Sequence, residues 1–558
     1  MRWRIISLLI CFGLAYIFLV SNLYGLQIDK SDYYKKLAQT QNGSSGILDA
    51  PRGNIYFTDK NNNSIPAVLN KDYEIIYAVP TEIQKNSSSS EINVISGELA
   101  VILNKEKAEI EKLLNKKNDL YELLIQKTTN DQVKEVNSLG VKGIYITDKT
   151  LRYYPFDNLA SHVLGFISPA NDKESAKYGN VDIGRYGIEL YFNDELAGIS
   201  GEYKENVMIE PIKGQDINLT IDRNIQAQAE EILRKVVEDY KGVAGNVIVE
   251  DPNTGKILAM ANYPDFNPNS YSTFKLQNFL NPAVQSLYEP GSVFKLITMS
   301  AGIDSGKITP DTTYVDTGSF TANGMTITNW DYTTHGAYGK VTMSNVIEHS
   351  INTGAVFAER KTGSLIFSNY VNKFGFGEAT GIVLPGEVKG NLKNLIKGKE
   401  IDYATASYGQ GVSVTPLELI NAVSAIANGG VLMKPYIIAD QKPEVIRRVI
   451  SSDTASLVTD MMVSAVKINK VAAIPDYQVA GKTGTAFIPN FVKGGYTDQV
   501  INTYVGFAPA SNPKFVVLVK LEKPEGSPLA GQTVVPSFRE LTSFILNYLN
   551  VAPDNLAN

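Results

Sequence analysis

The clearest chemical signal in the chain is a serine with a lysine three residues later, Ser292 and Lys295. Residues spaced in this way share one face of a helix. A Pro-Gly pair at 290–291 and the apolar stretch after Lys295 predict that Ser292 opens a buried helix. Burial favours the neutral form of lysine, and a neutral amine can take the proton of a serine hydroxyl. The pair therefore predicts a serine nucleophile that needs no histidine.

Two later motifs add polar groups that could meet a substrate. Ser350 and Asn352 lie on a predicted loop between two helices, where both side chains can point into one cleft. A Lys-Thr-Gly-Thr run at 482–485 falls within the predicted strand Gln478–Ile488. Gly484 would let a ligand approach the backbone, and a cation with hydroxyls on an edge strand suits a substrate carboxylate.

None of the three patterns is distinctive alone. The serine-lysine spacing recurs at Ser272, Ser464 and Ser511, and a second Lys-Thr-Gly begins at Lys361. Among the serines, only Ser292 combines the Pro-Gly entrance with an apolar continuation. Lys361 stands at the end of a predicted helix, where glycine is a common C-cap. These four residues are therefore expected to be structural.

Composition excludes several classes of function. The chain has 558 residues, 52 Lys and Arg against 58 Asp and Glu, and a net charge of −6. An acidic chain is a poor nucleic-acid binder, because such binding needs clustered cations. One cysteine and three scattered histidines argue against a metal or iron–sulfur centre. Cys-rich metal sites are therefore excluded.

The pattern of elements predicts an α/β domain around the motifs. Because hairpin-length turns join the strands, we expect an antiparallel sheet flanked by helices. The segment from about residue 30 to 220 is mixed and includes a predicted helix over Lys105–Lys127 and another over Asp131–Gly140. The predicted elements of the later part are a helix from Asn224 to Tyr240, strands Val247–Val249 and Ile257–Ala261, strands Gln478–Ile488, Asn502–Phe507 and Phe515–Leu521, and a closing helix Pro536–Leu549.

The N-terminus predicts a membrane anchor. No charged residue occurs from Ile5 to Ile28, and about 20 apolar residues span a bilayer as a helix. Arg2 and Arg4 precede the run, which favours an N-terminus inside. A cleaved signal peptide has a shorter apolar region and a small-residue cleavage site, neither of which is evident here. We expect a single-pass protein of the cytoplasmic membrane, with the remainder on the outer face.

Together the motifs occur in the order SxxK, SxN and KTG, the set of penicillin-recognising serine enzymes. Over nearly its whole length the chain resembles the class B, monofunctional penicillin-binding proteins. The segments similar to that family are 288–291, 407–411, 414–416 and 506–509, with 51–55, 152–155, 160–165 and 187–189 in the N-terminal half. Ile351 departs from the aspartate of the serine β-lactamase pattern, while both outer residues of that triplet remain.

The resemblance implies three parts. Residues 1–28 would be the cytoplasmic start and transmembrane anchor, 29–221 an elongated, non-catalytic α+β pedestal of the dimerisation type, and 222–558 the transpeptidase domain. The activity implied is that of a peptidoglycan DD-transpeptidase, which cross-links stem peptides ending in D-Ala-D-Ala through a serine acyl-enzyme. β-Lactams would acylate the same serine. The resemblance also implies that no metal or organic cofactor is needed.

The family pattern also implies residue roles. Ser292 would attack the penultimate carbonyl, with Lys295 as the base. Ser350 would relay a proton to the leaving amine, and Asn352 would hold the substrate amide.

The strand at 482–485 would bind the rest of the substrate. Lys482, Thr483 and Thr485 would orient the terminal carboxylate, beside Gly484. The backbone N–H groups of Ser292 and Thr485 would form the oxyanion hole.

Several points stay open at this stage. Glu289, the moderate length and the compact end after Lys482 favour the division-specific branch over the elongation branch. Partners of that branch would be a SEDS-type lipid II polymerase and other divisome membrane proteins. The alternatives are an elongation-specific enzyme, a catalytically silent scaffold or β-lactam sensor, and a carboxypeptidase or β-lactamase that uses water as acceptor.

Overall fold

The computed structural model describes residues 47–555, apart from 172, 176–181, 205–206, 397, 491 and 527–528, together with a few positions between residues 3 and 24. The predicted anchor within residues 1–28 lies largely outside the described residues. In the part of the chain that is described, no helix has the length and apolar character needed to cross a bilayer.

The secondary structure follows the chain in this order. The strands are β1 (Ile47–Leu48), β2 (Ile55–Thr58), β3 (Ser64–Ala78), β4 (Glu122–Ile125), β5 (Ile144–Tyr153), β6 (Ile167–Pro169), β7 (Asp182–Gly184), β8 (Gly201–Lys204), β9 (Val207–Ile209), β10 (Ile217–Asp222), β11 (Ala244–Asp251), β12 (Lys256–Tyr263), β13 (Thr313–Asp316), β14 (Ser319–Ala322), β15 (Met325–Thr328), β16 (Gly339–Thr342), β17 (Val431–Met433), β18 (Val445–Arg448), β19 (Ala480–Pro489), β20 (Tyr496–Ala508) and β21 (Phe515–Glu522). The α-helices are Pro80–Asn86, Ser89–Leu103, Lys107–Leu114, Asn130–Leu139, Ser161–Leu164, Gly187–Tyr191, Asn193–Ala197, Arg223–Asp239, Pro282–Gln285, Lys295–Asp304, Tyr332–His335, Met343–Glu348, Asn352–Thr362, Ser364–Lys373, Lys393–Ile396, Glu400–Ala406, Pro416–Ala427, Ser452–Asn469 and Val534–Tyr548, and 3-10 turns span Pro268–Thr273, Leu276–Phe279 and Gly291–Phe294.

The sheet that organises the later part of the chain has five antiparallel strands in the order β12-β11-β21-β20-β19. Its register places Lys482 of β19 opposite Val505 of β20, and Gly484 opposite Thr503. β19 is therefore the edge strand of this sheet, and it carries the 482–485 motif. The antiparallel sheet predicted from the sequence is confirmed.

One face of this sheet is covered by two helices, Arg223–Asp239 and Val534–Tyr548. The Asp222 carboxylate caps the first, accepting from the N–H groups of Asn224 and Ile225 at 2.9 and 3.1 Å. Such a cap satisfies donors that the first helical turn leaves unpaired. The apolar stripes of both helices pack with alternate residues of the strands in one buried cluster. This cluster holds the sheet rigid behind the site.

The opposite face is packed by the helix Pro416–Ala427, which contacts β11, β20 and β21. The helix Pro416–Ala427 is buried along its whole length and begins with a capping box, in which Thr415 and Glu418 bond to each other's backbone N–H. The helix Lys295–Asp304 is buried except at its last residue. A helix that is buried all round has no polar face, which explains its apolar sequence.

A second sheet lies earlier in the chain, with strand order β10-β2-β3-β4 and β5 paired to β3. The helices Ser89–Leu103 and Lys107–Leu114 share an apolar cluster with Ile76 of β3 and Leu124 of β4. The predicted single helix over Lys105–Lys127 is wrong. The chain turns at Asn118, whose φ is +58°, and the residues after it form β4, which pairs with β3. This pairing is favoured because it buries Leu124 completely.

The described chain separates into two units. The smaller one contains residues up to 53, 170–181 and 194–216, and its strands form a sheet of order β1-β8-β9. The larger contains 54–169, 182–193 and 217–558, including both five-stranded sheets. The domain boundaries after residues 28 and 221 stay predictions.

A buried acid on β11 gives a prediction for stability. Complete burial beside Ser424 raises the pKa of Glu250 to about 8. The unfolded carboxyl ionises near its ordinary pKa, whereas the folded one keeps its proton until about pH 8. Its contribution to stability is therefore full below about pH 4.5 and lost as the pH rises through about 8, at up to about 1.4 kcal/mol per pH unit.

We expect Glu250→Gln to remove this dependence. Thermal melts at several pH values in that window should show the wild-type Tm falling relative to that of the variant as the pH rises. The exposed Glu238→Gln is the matched control and should run parallel to wild type. A constant difference between wild type and Glu250→Gln would contradict the expectation.

Candidate active site

Ser292 lies in a tight turn at the entrance to a buried helix. The turn Gly291–Phe294 is a 3-10 turn, and the helix Lys295–Asp304 continues from it without a break. Gly291 has a φ of +57°, a conformation that glycine adopts without strain. Val293 and Phe294 are fully buried, whereas Ser292 is partly exposed. The turn therefore presents the serine hydroxyl while its neighbours anchor the backbone.

Lys295 joins this helix to the second motif. Its Nζ donates to the Ser350 carbonyl oxygen at 2.5 Å, to Asn352 Oδ1 at 2.9 Å and to Ser350 Oγ at 3.2 Å. None of the hydrogen bonds among the described residues joins Lys295 to Ser292. Catalytic hydrogen bonds commonly tighten only when substrate is bound. The absence of a direct bond in this structure is therefore compatible with Lys295 acting as the base for Ser292, one helical turn away.

The second motif is a strained loop between the helices Met343–Glu348 and Asn352–Thr362. Ser350 has a φ of +56°, which is costly for a residue with a Cβ. The Lys295 ammonium that binds the Ser350 carbonyl helps to hold this conformation. Asn352 Nδ2 donates to the Thr328 carbonyl at 2.9 Å. Both polar side chains of the motif are thereby fixed before any substrate arrives.

Lys482 brings the edge strand to the same serine. Its Nζ donates to Ser350 Oγ at 2.9 Å, to the Thr483 carbonyl at 3.1 Å and to Thr483 Oγ1 at 3.3 Å. Ser350 Oγ thus lies between two ammonium groups, those of Lys295 and Lys482. A hydroxyl in this position can exchange protons with either lysine.

Glycine allows the strand and the nucleophile turn to touch. A Cβ on Gly484 would lie 2.7 Å from the Pro290 carbonyl oxygen, and one on Gly291 would lie 3.2 Å from the Thr485 carbonyl oxygen. Under 3.0 Å a real Cβ would force the backbone apart. The structure therefore brings all eight predicted site residues into one cluster: Ser292, Lys295, Ser350, Asn352, Lys482, Thr483, Gly484 and Thr485.

Burial sets the electrostatics of the two lysines. Burial, and then the neighbouring charge of Lys482, holds the pKa of Lys295 well below its ordinary value, against an opposing effect of Asp331. Burial also lowers the pKa of Lys482 to about 7. Burial therefore favours the neutral form of both lysines, and a neutral Lys295 is what a general base near neutral pH requires.

A loop over residues 407–411 supports the nucleophile turn. Gly291 N donates to the Gly409 carbonyl at 3.1 Å, and Gly411 N donates to Glu289 Oε1 at 3.0 Å. Tyr496 donates its hydroxyl to the same carboxylate, whose pKa burial raises to about 7. The loop thus joins the turn to the start of β20.

The other serine and lysine candidates lie outside this cluster, and Ser272 is an exposed residue of the 3-10 turn Pro268–Thr273. Ser464 donates its hydroxyl to Glu348, and Ser511 donates to Asp554 at 2.6 Å. Lys361 is in the last turn of the helix Asn352–Thr362, which Gly363 caps as predicted. No group of three or more His, Cys, Asp or Glu side chains in the described part of the chain could hold a metal ion.

The sequence reasoning missed the segment from Thr328 to Asp331. Its backbone and side chains bind Asn352 and Thr353, and the Asp331 carboxylate opposes the lowering of the Lys295 pKa. No motif marks this segment, which lies 19 to 22 residues before Ser350. The available signal was the pair of polar residues Asn329 and Asp331 on either side of Trp330.

The close contact at Gly409 gives a prediction. Its φ is +82°, and a Cβ there would lie 2.1 Å from the Gly291 carbonyl oxygen. Gly409→Ala must therefore displace the turn that carries Ser292. We expect the acylation rate with a chromogenic β-lactam to fall by about 10²-fold, the usual cost of a misplacement of about 1 Å.

Gly429 is the matched control for this variant. It has the same φ of +82°, and nothing lies within 4 Å of an added Cβ. Gly429→Ala should carry the same backbone strain and acylate almost like wild type. An equal loss of rate in both variants would show that strain alone, and not contact with the turn, causes the effect.

Comparisons with known proteins agree with this geometry. The penicillin binding protein transpeptidase domain matches residues 245–543, and the penicillin-binding protein dimerisation domain matches 47–244. Stage V sporulation protein D of Bacillus subtilis is 30% identical, over 96% of this chain and 83% of the relative. Peptidoglycan D,D-transpeptidase FtsI of Escherichia coli is 28% identical, over 99% and 93%.

A solved structure gives the same result. Penicillin binding protein 3 of Mycobacterium tuberculosis, complexed with aztreonam, superimposes with a TM-score of 0.69 at 25% identity, over 91% of this chain and 98% of that one. The transpeptidase match alone covers more than half of the chain. Because the transpeptidase model covers more than half of the chain and the relatives match over nearly its whole length, the chain belongs to the penicillin-binding protein transpeptidases.

Proposed function

We propose that the chain is a peptidoglycan D,D-transpeptidase that cross-links stem peptides ending in D-Ala-D-Ala through an acyl-enzyme on Ser292. The observation that carries the proposal is the convergence of Lys295 and Lys482 on Ser350 Oγ, at 3.2 and 2.9 Å. This arrangement supplies a base, a proton relay and a cation for a carboxylate. The names of relatives such as FtsI support the same reaction.

The first half of the reaction acylates the serine. Ser292 Oγ forms a bond to the carbonyl carbon of the penultimate D-Ala while its proton passes to neutral Lys295. The C=O electron pair moves to oxygen, where the N–H groups of Ser292 and Thr485 would receive it. Each such donor typically lowers the barrier by about 3 kcal/mol.

Collapse of the intermediate releases the terminal D-Ala. The C–N bond breaks, and its nitrogen takes a proton from Ser350 Oγ, which is resupplied by the adjacent ammonium groups. Asn352 would hold the substrate amide. The terminal carboxylate would be bound by Lys482, Thr483 and Thr485. In the second half of the reaction, an acceptor amine attacks the ester carbonyl, which forms the cross-link and frees Ser292. β-Lactams acylate Ser292 by the same first step. Because their amine stays attached to the acyl group after the ring opens, no separate leaving group departs.

The cellular setting is part of the proposal. The uncharged run from Ile5 to Ile28 would anchor the chain in the cytoplasmic membrane with the N-terminus inside. Residues 29–221 would form a non-catalytic pedestal and 222–558 the catalytic domain on the outer face. A septal role, with a SEDS-type lipid II polymerase and other divisome proteins as partners, fits Glu289 before the Pro-Gly entrance.

The nucleophile assignment is tested by mapping a penicillin adduct. After incubation with a fluorescent penicillin, intact mass should show one adduct per chain, and tryptic mapping should place it on Ser292. Ser292→Ala should carry no adduct, while the control Ser464→Ala should label like wild type. An adduct on Ser464 or Ser272 would overturn the assignment, and no adduct on the folded wild type would overturn the function.

The topology is tested by fusion. A reporter that is active only in the cytoplasm, joined after Asn558, should be silent in cells, and the same reporter on a chain beginning after residue 28 should be active. Activity of the first fusion would reverse the proposed orientation.

A further inference from the structure

The sheet that contains β3 and β5 has one face packed by helices. Ile76 of β3 belongs to the apolar cluster that includes the helix Ser89–Leu103. Successive residues of a strand point to opposite faces. Lys71, Tyr73 and Tyr77 differ from Ile76 by odd numbers of positions, and β3 pairs with β5 through this stretch without a break in register. These three side chains therefore lie on the face turned away from that cluster.

Five tyrosines gather on this second face, which we call the tyrosine face: Tyr73, Tyr77, Tyr121, Tyr145 and Tyr153. The ring centroid of Tyr77 lies 5.0 Å from that of Tyr121 and 5.6 Å from that of Tyr145, with an angle of 31° between the rings of each pair. Tyr73 and Tyr153 form a second pair at 6.5 Å. Tyr121 is 49% exposed and Tyr145 is 40% exposed. Large exposed patches of this kind mark binding surfaces.

Three lysines add positive charge to the tyrosine face. Lys71 Nζ lies 5.0 and 5.1 Å from the ring centroids of Tyr73 and Tyr153, and Lys127 Nζ lies 5.5 Å from that of Tyr73. Lys149 is directly opposite Tyr73 in the register of β3 with β5. None of the ion pairs among the described residues engages these lysines. Their charges are therefore available to an anionic ligand.

The acidic residues of the same two strands point the other way. Asp72, Glu74 and Asp148 have the opposite parity in the register, in which Glu74 pairs with Asp148. The sheet thus separates charge, with the lysines beside the tyrosines and these carboxylates on the other face.

Two carboxylates do lie near the tyrosine face. Glu82 accepts from the Tyr145 hydroxyl at 2.5 Å. Burial lowers the pKa of Lys127, and the charge of Asp157 opposes that effect only in part. Three lysines against two carboxylates leave the face positive.

This composition fits a sugar polymer better than a protein partner. Protein interfaces are enriched in arginine and depleted in lysine, whereas all three cations here are lysines. The negative face of a tyrosine ring attracts the polarised C–H groups of a sugar ring, and phenol hydroxyls bond to its hydroxyl and amide groups. None of the hydrogen bonds among the described residues engages the hydroxyls of Tyr73, Tyr77, Tyr121 and Tyr153.

We propose that the tyrosine face binds the uncross-linked glycan strand, a linear polymer of acetylated amino sugars whose peptide branches carry carboxylates. Sugar rings would stack on Tyr77, Tyr121 and Tyr145, and branch carboxylates would meet Lys71 and Lys127. Since a strand rises about 3.3 Å per residue, the stretch from Lys71 to Tyr77 spans about 20 Å, which accommodates several sugar rings in line. The inference rests on the proposed function, because this strand is the polymer whose stem peptides that reaction joins.

The test measures binding to three soluble, fluorescently labelled polymers: uncross-linked peptidoglycan strands, a neutral chito-oligosaccharide and polyglutamate. Wild type should bind the strands most tightly, the oligosaccharide less tightly and polyglutamate least. The oligosaccharide has no peptide branch, so its binding cannot arise from stem peptides at Ser292. Rising salt should weaken binding of the strands but not of the neutral oligosaccharide, because salt screens exposed charges.

The aromatic contribution is tested at Tyr121. Tyr121→Ala should weaken binding of both the strands and the oligosaccharide by about tenfold, a usual loss for truncation of a contacting aromatic side chain. Tyr121→Phe keeps the ring and should keep most of the affinity. The control Tyr191→Ala removes a tyrosine that is 48% exposed at the end of the helix Gly187–Tyr191, and it should bind like wild type.

The charge contribution is tested at the lysines. Lys71→Gln combined with Lys127→Gln should weaken binding of the strands several-fold, remove most of its salt dependence and leave the oligosaccharide unaffected. The control Lys112→Gln, exposed on the helix Lys107–Leu114, should change neither. None of these residues belongs to the catalytic cluster. Acylation by a chromogenic β-lactam should therefore stay at the wild-type rate in every variant, which also shows that the chain is folded.

Three results would overturn the proposal: wild type that binds no strand, as expected of a face that takes a protein; folded Tyr121→Ala that binds both sugars like wild type; and polyglutamate that binds as tightly as the strands. Should Tyr121→Ala fail to fold, Tyr145→Ala on the other side of Tyr77 is judged by the same criterion. A wild-type chain that binds the strands but is not acylated by any β-lactam would instead contradict the proposed function.

Discussion

The whole site depends on the burial of two ammonium groups around one hydroxyl. Lys295 is fully buried and Lys482 is 3% exposed, and both bind Ser350 Oγ. Two buried charges of the same sign are unfavourable, so burial and mutual repulsion both favour the neutral form of a lysine. The fold must therefore hold them together by other means. It does so with the apolar helix Lys295–Asp304 on one side and the edge strand β19 of a five-stranded sheet on the other.

The close approach of these two elements explains several features that are otherwise unrelated. Gly484 and Gly291 have no side chain because strand and turn meet there. Gly409 and Glu289 belong to a supporting layer that fixes the turn from behind. Ser350 keeps a left-handed backbone because the Lys295 ammonium binds its carbonyl. The close approach of the turn and the strand, which brings the site residues together, therefore also determines which residue types can occupy the neighbouring positions.

Much of this could be predicted from the sequence, and the failures have physical causes. The strands β19, β20 and β21 and the helix Arg223–Asp239 were predictable because their periodicity and caps are local properties. The three motifs are also local, and the family resemblance that their order carries implied that they converge. The helix predicted over Lys105–Lys127 failed because pairing with β3, distant in sequence, decided the state of its second half. The segment from Thr328 to Asp331 could not be predicted for the same reason, since its place in the site comes from hydrogen bonds to Asn352 and Thr353 and not from its own pattern.

The position of β19 at the sheet edge has a consequence for solubility as well as for catalysis. An edge strand offers unpaired backbone groups to any extended chain and is a common starting point for aggregation. Here the turn at Ser292 packs closely against β19, where Gly484 approaches the Pro290 carbonyl, and the buried Lys482 side chain lies beside it. Inward-pointing charge is one of the devices that keep sheets from joining edge to edge. The packing that assembles the site therefore also leaves less of this strand open to pairing with another chain.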